Sequence, residues 1–131
     1  MHISTRGRYG LRALVELAEH RQEPRLLKEI AASQDISMKY LGHIISNLKK
    51  AGIISRTSRG YLLAEDPAEI NCWEVITALE GSLAPVECVD NPALCDRHDH
   101  CRTSTVFVRM KQALEKELQQ ITLEDLAAVE D

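Results

Sequence analysis

The sequence predicts a mainly helical fold, a winged helix-turn-helix with a small β-hairpin wing and a long helix near the C-terminus. Apolar residues recur at helical spacing through most of the chain. Just after Gly52 this spacing gives way to two short β-prone runs. The rest of the chain is predicted to be helical apart from one polar loop. The 131 residues are enough for one domain with a hydrophobic core.

The first half of the chain carries three helix signals. Ser4 or Thr5 is placed to cap a first helix, which the segment 22–24 breaks with its proline. A second helix is predicted over about 27–33. Ser37 is placed to cap a third helix that ends at Gly52. Each helix has an apolar stripe facing a common core: Leu11, Leu14, Val15 and Ala18, then Leu27, Ile30 and Ala31, then Leu41, Ile44, Ile45 and Leu48.

The hairpin and the second half follow from turn and cap chemistry. Residues 53–56 and 61–63 are β-prone and are joined by 57–60, which places Gly60 in the turn. Asn71 with Glu74 forms a capping box for a helix over 72–80. After a polar loop the longest helix is predicted over about 102–121, and Thr122 with Asp125 opens a short last helix. We expect a DNA-binding region in 1–66 and a sensor and dimerisation region in 67–131, within one intertwined domain.

Charge and composition restrict the class of protein. Residues 1–61 carry 11 Lys and Arg against 5 Asp and Glu, whereas residues 62–131 carry 5 against 15. Such asymmetry indicates that one half meets phosphate. No apolar run approaches the roughly 18 residues of a membrane span, and no signal peptide is evident. We therefore expect a cytoplasmic protein without a membrane partner, in which four cysteines are ligands, sensors or buried thiols.

The basic half has the pattern of a DNA reader. A helix that follows a tight turn can enter the major groove, which is wide enough to admit it. A plain helical hairpin with solvated basic residues is the alternative. The candidate contacts lie on the first helix, on the helix-turn-helix and beside the wing turn: Arg6, Lys28, Ser37, Lys39, Tyr40, His43, Arg56 and Arg59.

The loop before the longest helix carries three cysteines, Cys88, Cys95 and Cys101, separated by six and five residues. Such gaps allow three sulphurs to surround one centre, and thiolates suit iron–sulphur clusters and zinc. Three other interpretations stay open. They are a zinc site with His98 or His100 as the fourth ligand, a redox pair of two thiols, and unligated thiols in a polar loop. Cys72 lies in line with the apolar face of its helix, which predicts a buried structural thiol.

Several segments together resemble one family. They are residues 3–10, 36–41, 60–63, 74–76 with 80–81, and 121–126. These segments resemble the bacterial winged-helix transcription regulators of the IscR/NsrR/CymR family, nearest in pattern to the IscR-like iron–sulphur cluster regulators. The resemblance covers nearly the whole chain. It implies a homodimer that pairs mainly through the helix near 102–121 and binds double-stranded operator DNA.

In the cluster-binding members a three-cysteine loop holds the cofactor, so the resemblance assigns Cys88, Cys95 and Cys101 as ligands, with a 2Fe–2S cluster preferred to a 4Fe–4S cluster and zinc as the alternative. Ser104 stands where IscR-like members have a fourth-ligand histidine, which leaves His98, His100, Ser104 or an outside molecule for that position. CymR-like members imply another route, a cofactor-free regulator controlled by a partner protein or by thiol oxidation. An enzyme is not expected, because no segment assembles a nucleophile, a base and an orienting group.

Overall fold

A computed structural model describes residues 2–97 and 99–130 of the chain and has the predicted winged-helix architecture. Most helix bounds agree with the prediction to within two residues. The helix predicted over 102–121 ends three residues earlier than predicted, and at 15 residues it is as long as the first helix and not longer. In chain order the elements are α1 (Thr5–Glu19), α2 (Leu27–Gln34), α3 (Met38–Lys50), β1 (Ile54–Thr57), β2 (Gly60–Leu63), α4 (Cys72–Glu80), α5 (Glu87–Asp90), α6 (Ser104–Leu118) and α7 (Leu123–Ala127).

The predicted caps are formed. The Ser4 side chain accepts a hydrogen bond from the backbone N–H of Arg6, at 3.2 Å, at the start of α1. Asn71 and Glu74 close a reciprocal capping box on α4, and Thr122 and Asp125 close another on α7. These side chains satisfy backbone N–H groups that have no partner within a helix, and for this reason the cap residues mark helix starts in the sequence.

The wing is a two-stranded antiparallel hairpin in which Ile54 pairs with Leu63 and Thr57 pairs with Gly60. The turn is therefore Ser58-Arg59, and Gly60 begins the second strand instead of lying in the turn as predicted. Arg25 adds a further bridge to Tyr61, with N–O distances of 3.0 and 2.8 Å. Gly60 has a φ of 135°, and a Cβ there would lie 2.5 Å from the Arg25 carbonyl oxygen. Only glycine permits this close approach.

The main core joins both halves of the chain. The inner faces of α1, α2 and α3 pack with Val75 and Leu79 of α4 and with Leu123 of α7. Complete burial of one such aliphatic side chain contributes about 1.5–3 kcal/mol. The largest side chains that are almost wholly buried are Leu14, Leu17, Ile30, Leu41, Ile44, Leu48, Ile70, Val75 and Leu123.

The remaining C-terminal elements are much less enclosed. The starts of α4 and α7 are joined by hydrogen bonds from Cys72 N–H to the Ile121 carbonyl, 2.8 Å, and from Leu123 N–H to the Ile70 carbonyl, 2.9 Å. All residues of α6 lie in the described part of the chain, and none of them is buried. None of the described helices has both the length and the apolar character to cross a membrane.

Candidate DNA interface and cysteine cavity

Helix α3 presents a polar face beside a buried one, as predicted. Ser37 caps it by accepting a hydrogen bond from the Tyr40 N–H at 3.2 Å. Leu41, Ile44, Ile45 and Leu48 are buried. Ser37, Lys39 and His43 are exposed, so the structure leaves all three available to a ligand that approaches the start of this helix.

Tyr40 is placed differently from the other candidates on α3. Its side chain is half-buried, and its hydroxyl lies 2.5 Å from the hydroxyl of Thr5 on α1. Its ring also packs edge-on against Tyr9, with ring centroids 6.0 Å apart. These contacts direct Tyr40 toward α1, and they fix the position of the first turn of α3.

The predicted basic contacts outside α3 are exposed. They are Arg6 on α1, Lys28 on α2, and Arg56 and Arg59 on the wing. The Arg56 guanidinium lies 5.8 Å from the Tyr61 ring centroid, a cation–π arrangement. The wing turn is braced by Thr57, whose hydroxyl donates to the Gly60 carbonyl and accepts from the Arg59 N–H. Arg59 is thus held on a short, ordered turn.

Two carboxylates that the sequence analysis missed organise this half. Glu16 is 5% exposed and accepts hydrogen bonds from Arg25, Ser33 and Gln34. It thereby ties α1 to α2. Glu80, the last residue of α4, accepts hydrogen bonds from Ser4 and from the Gly7 N–H. Neither carboxylate has a local sequence signature, because its partners lie up to 76 residues away along the chain.

The three loop cysteines meet at one small cavity. This cavity, of about 120 Å³, lies between the loop and the start of α6. Its walls also include Val89, Pro92, Ser104 and Val108. Cys88, Cys95 and Cys101 are all half-buried. The three thiols thus line one common cavity.

Cys101 lies in a polar setting at the mouth of α6. Its sulphur is 3.3 Å from the Thr103 hydroxyl. Hydrogen bonds from that hydroxyl and from the backbone N–H groups of Thr103 and Ser104, with the charge of Arg97, lower the pKa of the Cys101 thiol. A thiolate at this position is the form that binds a metal or reacts with an oxidant.

The loop is anchored to α6 and to the segment that follows α4 through Asp90. The Lys111 ammonium donates to its carboxylate at 2.8 Å, and the Ser82 hydroxyl donates to the other oxygen. These two hydrogen bonds hold the pKa of Asp90 below its usual range. Asp90 therefore links the cysteine segment to α6 through an ion pair and to the segment after α4 through a hydroxyl hydrogen bond.

The donor set of this cavity fits an iron–sulphur cluster in chemistry, although its side chains are not gathered for ligation. Within residues 2–97 and 99–130 no group of three or more His, Cys, Asp and Glu is placed so that it could hold a metal ion. Three thiols nevertheless line one cavity. No described residue of the short helix α5, which carries Cys88, is buried, so little packing would oppose a movement of the three thiols toward one another. Ser104 lines the cavity, His100 is exposed and does not line it, and His98 lies outside the described residues.

Cys72 is separate from this cavity, as predicted. It is 4% exposed and packs in a small second core with Ile76 and Leu83. Burial, together with the nearby charge of Asp125, raises the pKa of its thiol. Cys72 therefore serves as an apolar core residue.

Helix α6 exposes an apolar face. Val106 is 57% exposed and Met110 is 42% exposed. With Thr105, Arg109 and Ala113 they line an open groove of about 430 Å³. An apolar helix face of this kind is typical of an interaction surface.

Comparison with known proteins agrees with this architecture. A sequence model of the Rrf2 family, described as an iron-dependent transcriptional regulator, matches residues 3–129. Protein rrf2 of Nitratidesulfovibrio vulgaris is 41% identical over 130 residues, which span 96% of this chain and 87% of that protein. CymR, the global cysteine regulator of B. subtilis, has a similar structure, with a TM-score of 0.81 at 34% identity, covering 100% of this chain and 99% of that one. IscR of T. potens gives a TM-score of 0.76 at 33% identity, covering 100% of this chain and 93% of that one.

These similarities confirm the resemblance seen in the sequence and the winged-helix fold. The matched proteins are regulators of transcription and not enzymes. Because the family match spans nearly the whole chain and the fold agrees throughout, the chain belongs to the Rrf2 family of transcriptional regulators.

Proposed function

We propose that this regulator is a homodimer whose affinity for operator DNA is controlled by an iron–sulphur cluster bound by Cys88, Cys95 and Cys101. The observation that carries the proposal is the cavity these three thiols share. In this proposal residues 1–66 bind DNA and residues 67–131 sense and dimerise. A 2Fe–2S cluster is preferred, as in the IscR-like pattern, and zinc is the alternative.

Ser104 is the proposed fourth ligand of the cluster. It lines the cavity with the cysteines, whereas His100 is exposed outside it. A serine hydroxyl is a harder and weaker ligand for iron than an imidazole or a thiolate. The site is therefore readily opened at this position to an outside molecule, which suits a sensor better than a permanent structural centre.

The second copy of the chain is proposed to pack on α6. A fifteen-residue helix with no buried residue in its described length gains little stability from this chain alone. Pairing two copies of the face around Val106 and Met110 would bury that apolar surface. A dimer would also present two α3 helices to two half-sites of one operator.

Coupling between cluster and DNA runs through this chain's own residues. A bound cluster would supply an oxidation-sensitive link among the three thiols. Asp90 ties the loop to Lys111 on α6, and Glu80 ties the end of α4 to the start of α1. A change in loop shape therefore acts on both the dimer helix and the DNA-binding half, and it biases one dimer form over another.

The proposed DNA contacts divide by chemistry. Arg6, Lys28, Arg56 and Arg59 contact phosphates or the minor groove, whereas Ser37, Lys39 and His43 contact base edges. Tyr40, which the sequence suggested as a contact, is proposed to act by holding α3 on α1. Replacing Lys28 by Ala should weaken binding to all sequences and reduce the salt dependence by about one phosphate contact. Replacing His43 by Ala should instead relax preference among sequences.

The test begins with anaerobic purification, followed by visible absorbance and by iron, sulphide and zinc analysis. We expect iron with matching sulphide and a visible band that Cys95→Ala abolishes. Cys72→Ala is the matched control and should keep the colour, since Cys72 lies outside the cavity. Colour retained in Cys95→Ala would refute the ligand assignment, and a colourless protein that carries zinc would favour the zinc alternative.

Thiol oxidation is the second candidate, favoured by the lowered pKa of Cys101 beside two other thiols at one cavity. Two cysteine thiols would lose two electrons and two protons to one molecule of hydrogen peroxide, forming one disulfide and two molecules of water. Peroxide treatment followed by peptide mass mapping tests this. A reversible disulfide that changes operator affinity in a metal-free protein would favour this candidate over the cluster.

A further inference from the structure

A groove of about 410 Å³ lies between the start of α2, the start of α3 and the wing. Its apolar walls come from Leu26, Met38 and Tyr61, and its charged walls come from Lys28 and Arg56. The two basic side chains are exposed. The groove therefore combines an apolar floor with positive charge, which is complementary to the anionic backbone of a duplex.

Met38 is the exposed apolar residue at the tip of α3. It is the first residue of that helix, and 52% of its surface is exposed. The buried stripe of α3 is complete without it, since Leu41, Ile44, Ile45 and Leu48 already fill the core side. Core packing thus gives no reason for a large apolar side chain at this position.

We infer that Met38 is a specificity-determining residue that reads a thymine by contacting its C5 methyl group, an inference that rests on the proposed operator binding. Residues at the N-terminal end of a recognition helix are those that reach base edges. A methionine side chain has no hydrogen-bond donor with which to read a base. Thymine alone presents a methyl group in the major groove, so an apolar contact there distinguishes it from the other bases.

The neighbouring residues favour a base rather than a sugar as the target. Lys28 and Arg56 flank the groove and can hold the phosphate backbone beside Met38. Tyr40 is turned toward Thr5 on α1. Among the exposed side chains of the first two turns of α3, Met38 is therefore the apolar partner that accompanies the polar Lys39 and His43.

The test replaces thymine by uracil one position at a time, in a duplex selected by the wild-type protein from a random library. Uracil lacks only the methyl group and keeps the same pairing. We expect the wild-type dissociation constant to rise about fourfold at one thymine in each half-site, the value of one buried methyl group. Met38→Ala should bind the thymine and uracil duplexes equally. Ser46→Ala, at an exposed residue of α3 to which no DNA contact is assigned, is the matched control and should keep the thymine preference.

Two results would overturn the inference alone. One is undiminished uracil sensitivity in Met38→Ala, and the other is an equal loss of affinity by this variant for every sequence, which would indicate packing on the sugar backbone. If the wild-type protein selected no sequence from the library, the proposed operator binding would fail as well. Met38→Leu, which keeps an apolar side chain, should retain part of the thymine preference.

Discussion

Glu80 caps the first helix of the molecule through Ser4. One carboxylate oxygen of Glu80 accepts hydrogen bonds from the backbone N–H and from the hydroxyl of Ser4, both at 2.7 Å, and from the Gly7 N–H at 3.1 Å. A negative charge at this end of α1 is also favoured by the helix dipole. Glu80 is the last residue of α4, and the segment after it leads to the cysteine loop. The Glu80 side chain therefore joins the end of α4 to the DNA-binding half.

Replacing Glu80 by Ala should therefore lower the free energy of unfolding by about 1–2 kcal/mol, because charge-assisted hydrogen bonds to α1 are lost. Glu80→Gln keeps an acceptor and should lose less. Urea denaturation measures both. The control is Glu65→Ala, at an exposed site, which should change stability little. Equal effects of Glu80→Ala and Glu65→Ala would contradict the cap.

Replacing Gly10 or Gly42 by Ala should change the free energy of unfolding in opposite directions. A Cβ on buried Gly10 would lie 2.2 Å from a methyl carbon of buried Leu79, so Gly10→Ala should lower the free energy of unfolding by about 1–3 kcal/mol. A Cβ on Gly42 would meet nothing closer than 4.0 Å. Gly42→Ala should raise the free energy of unfolding by about 0.5–1 kcal/mol. Thermal unfolding of the two variants side by side checks the signs. A rise for Gly10→Ala would contradict the close contact between α1 and α4, and a fall for Gly42→Ala would contradict the open space beside Gly42.

Tyr40→Phe separates a positioning role from base contact. The variant removes only the hydroxyl that meets Thr5, so we expect a loss of about 1 kcal/mol in the free energy of unfolding. Sequence preference in a competition binding assay should be unchanged. Thr5→Val should have a similar effect on stability, and the double variant should add little to either single one. Altered base preference in Tyr40→Phe would restore Tyr40 as a direct DNA contact.

Cys72 should make stability fall at alkaline pH. Burial raises the pKa of its thiol in the folded state, so the folded protein holds this proton more tightly than the unfolded chain does. The stability gained from the neutral thiol is complete below the ordinary cysteine pKa, about 8.5. It is lost as the pH rises through the raised folded-state value. Urea titrations at several pH values should show a shallower alkaline decline for Cys72→Ala than for the wild type, and identical slopes would contradict a buried thiol.

Local chemistry explains which elements were predictable. Ser37, Asn71 and Thr122 cap helices through partners three residues away, and such patterns are visible in a sequence. The buried stripe of α3 is likewise a matter of spacing. The additional bridge between Arg25 and Tyr61 was missed, because Arg25 lies 36 positions before Tyr61 and has no β-prone run around it.

The sequence by itself determined the helix order, the wing and the three thiols of one loop, because caps, periodicity and cysteine spacing act over a few residues. Only the tertiary structure decided how these parts are connected. It turned Tyr40 toward Thr5, brought Glu80 onto Ser4, put Ser104 beside the cysteines and left Met38 exposed in the wall of a basic groove. These relationships depend on which faces of distant helices pack together. The packing of those faces into one shared apolar core determines this, and no local pattern in the sequence does.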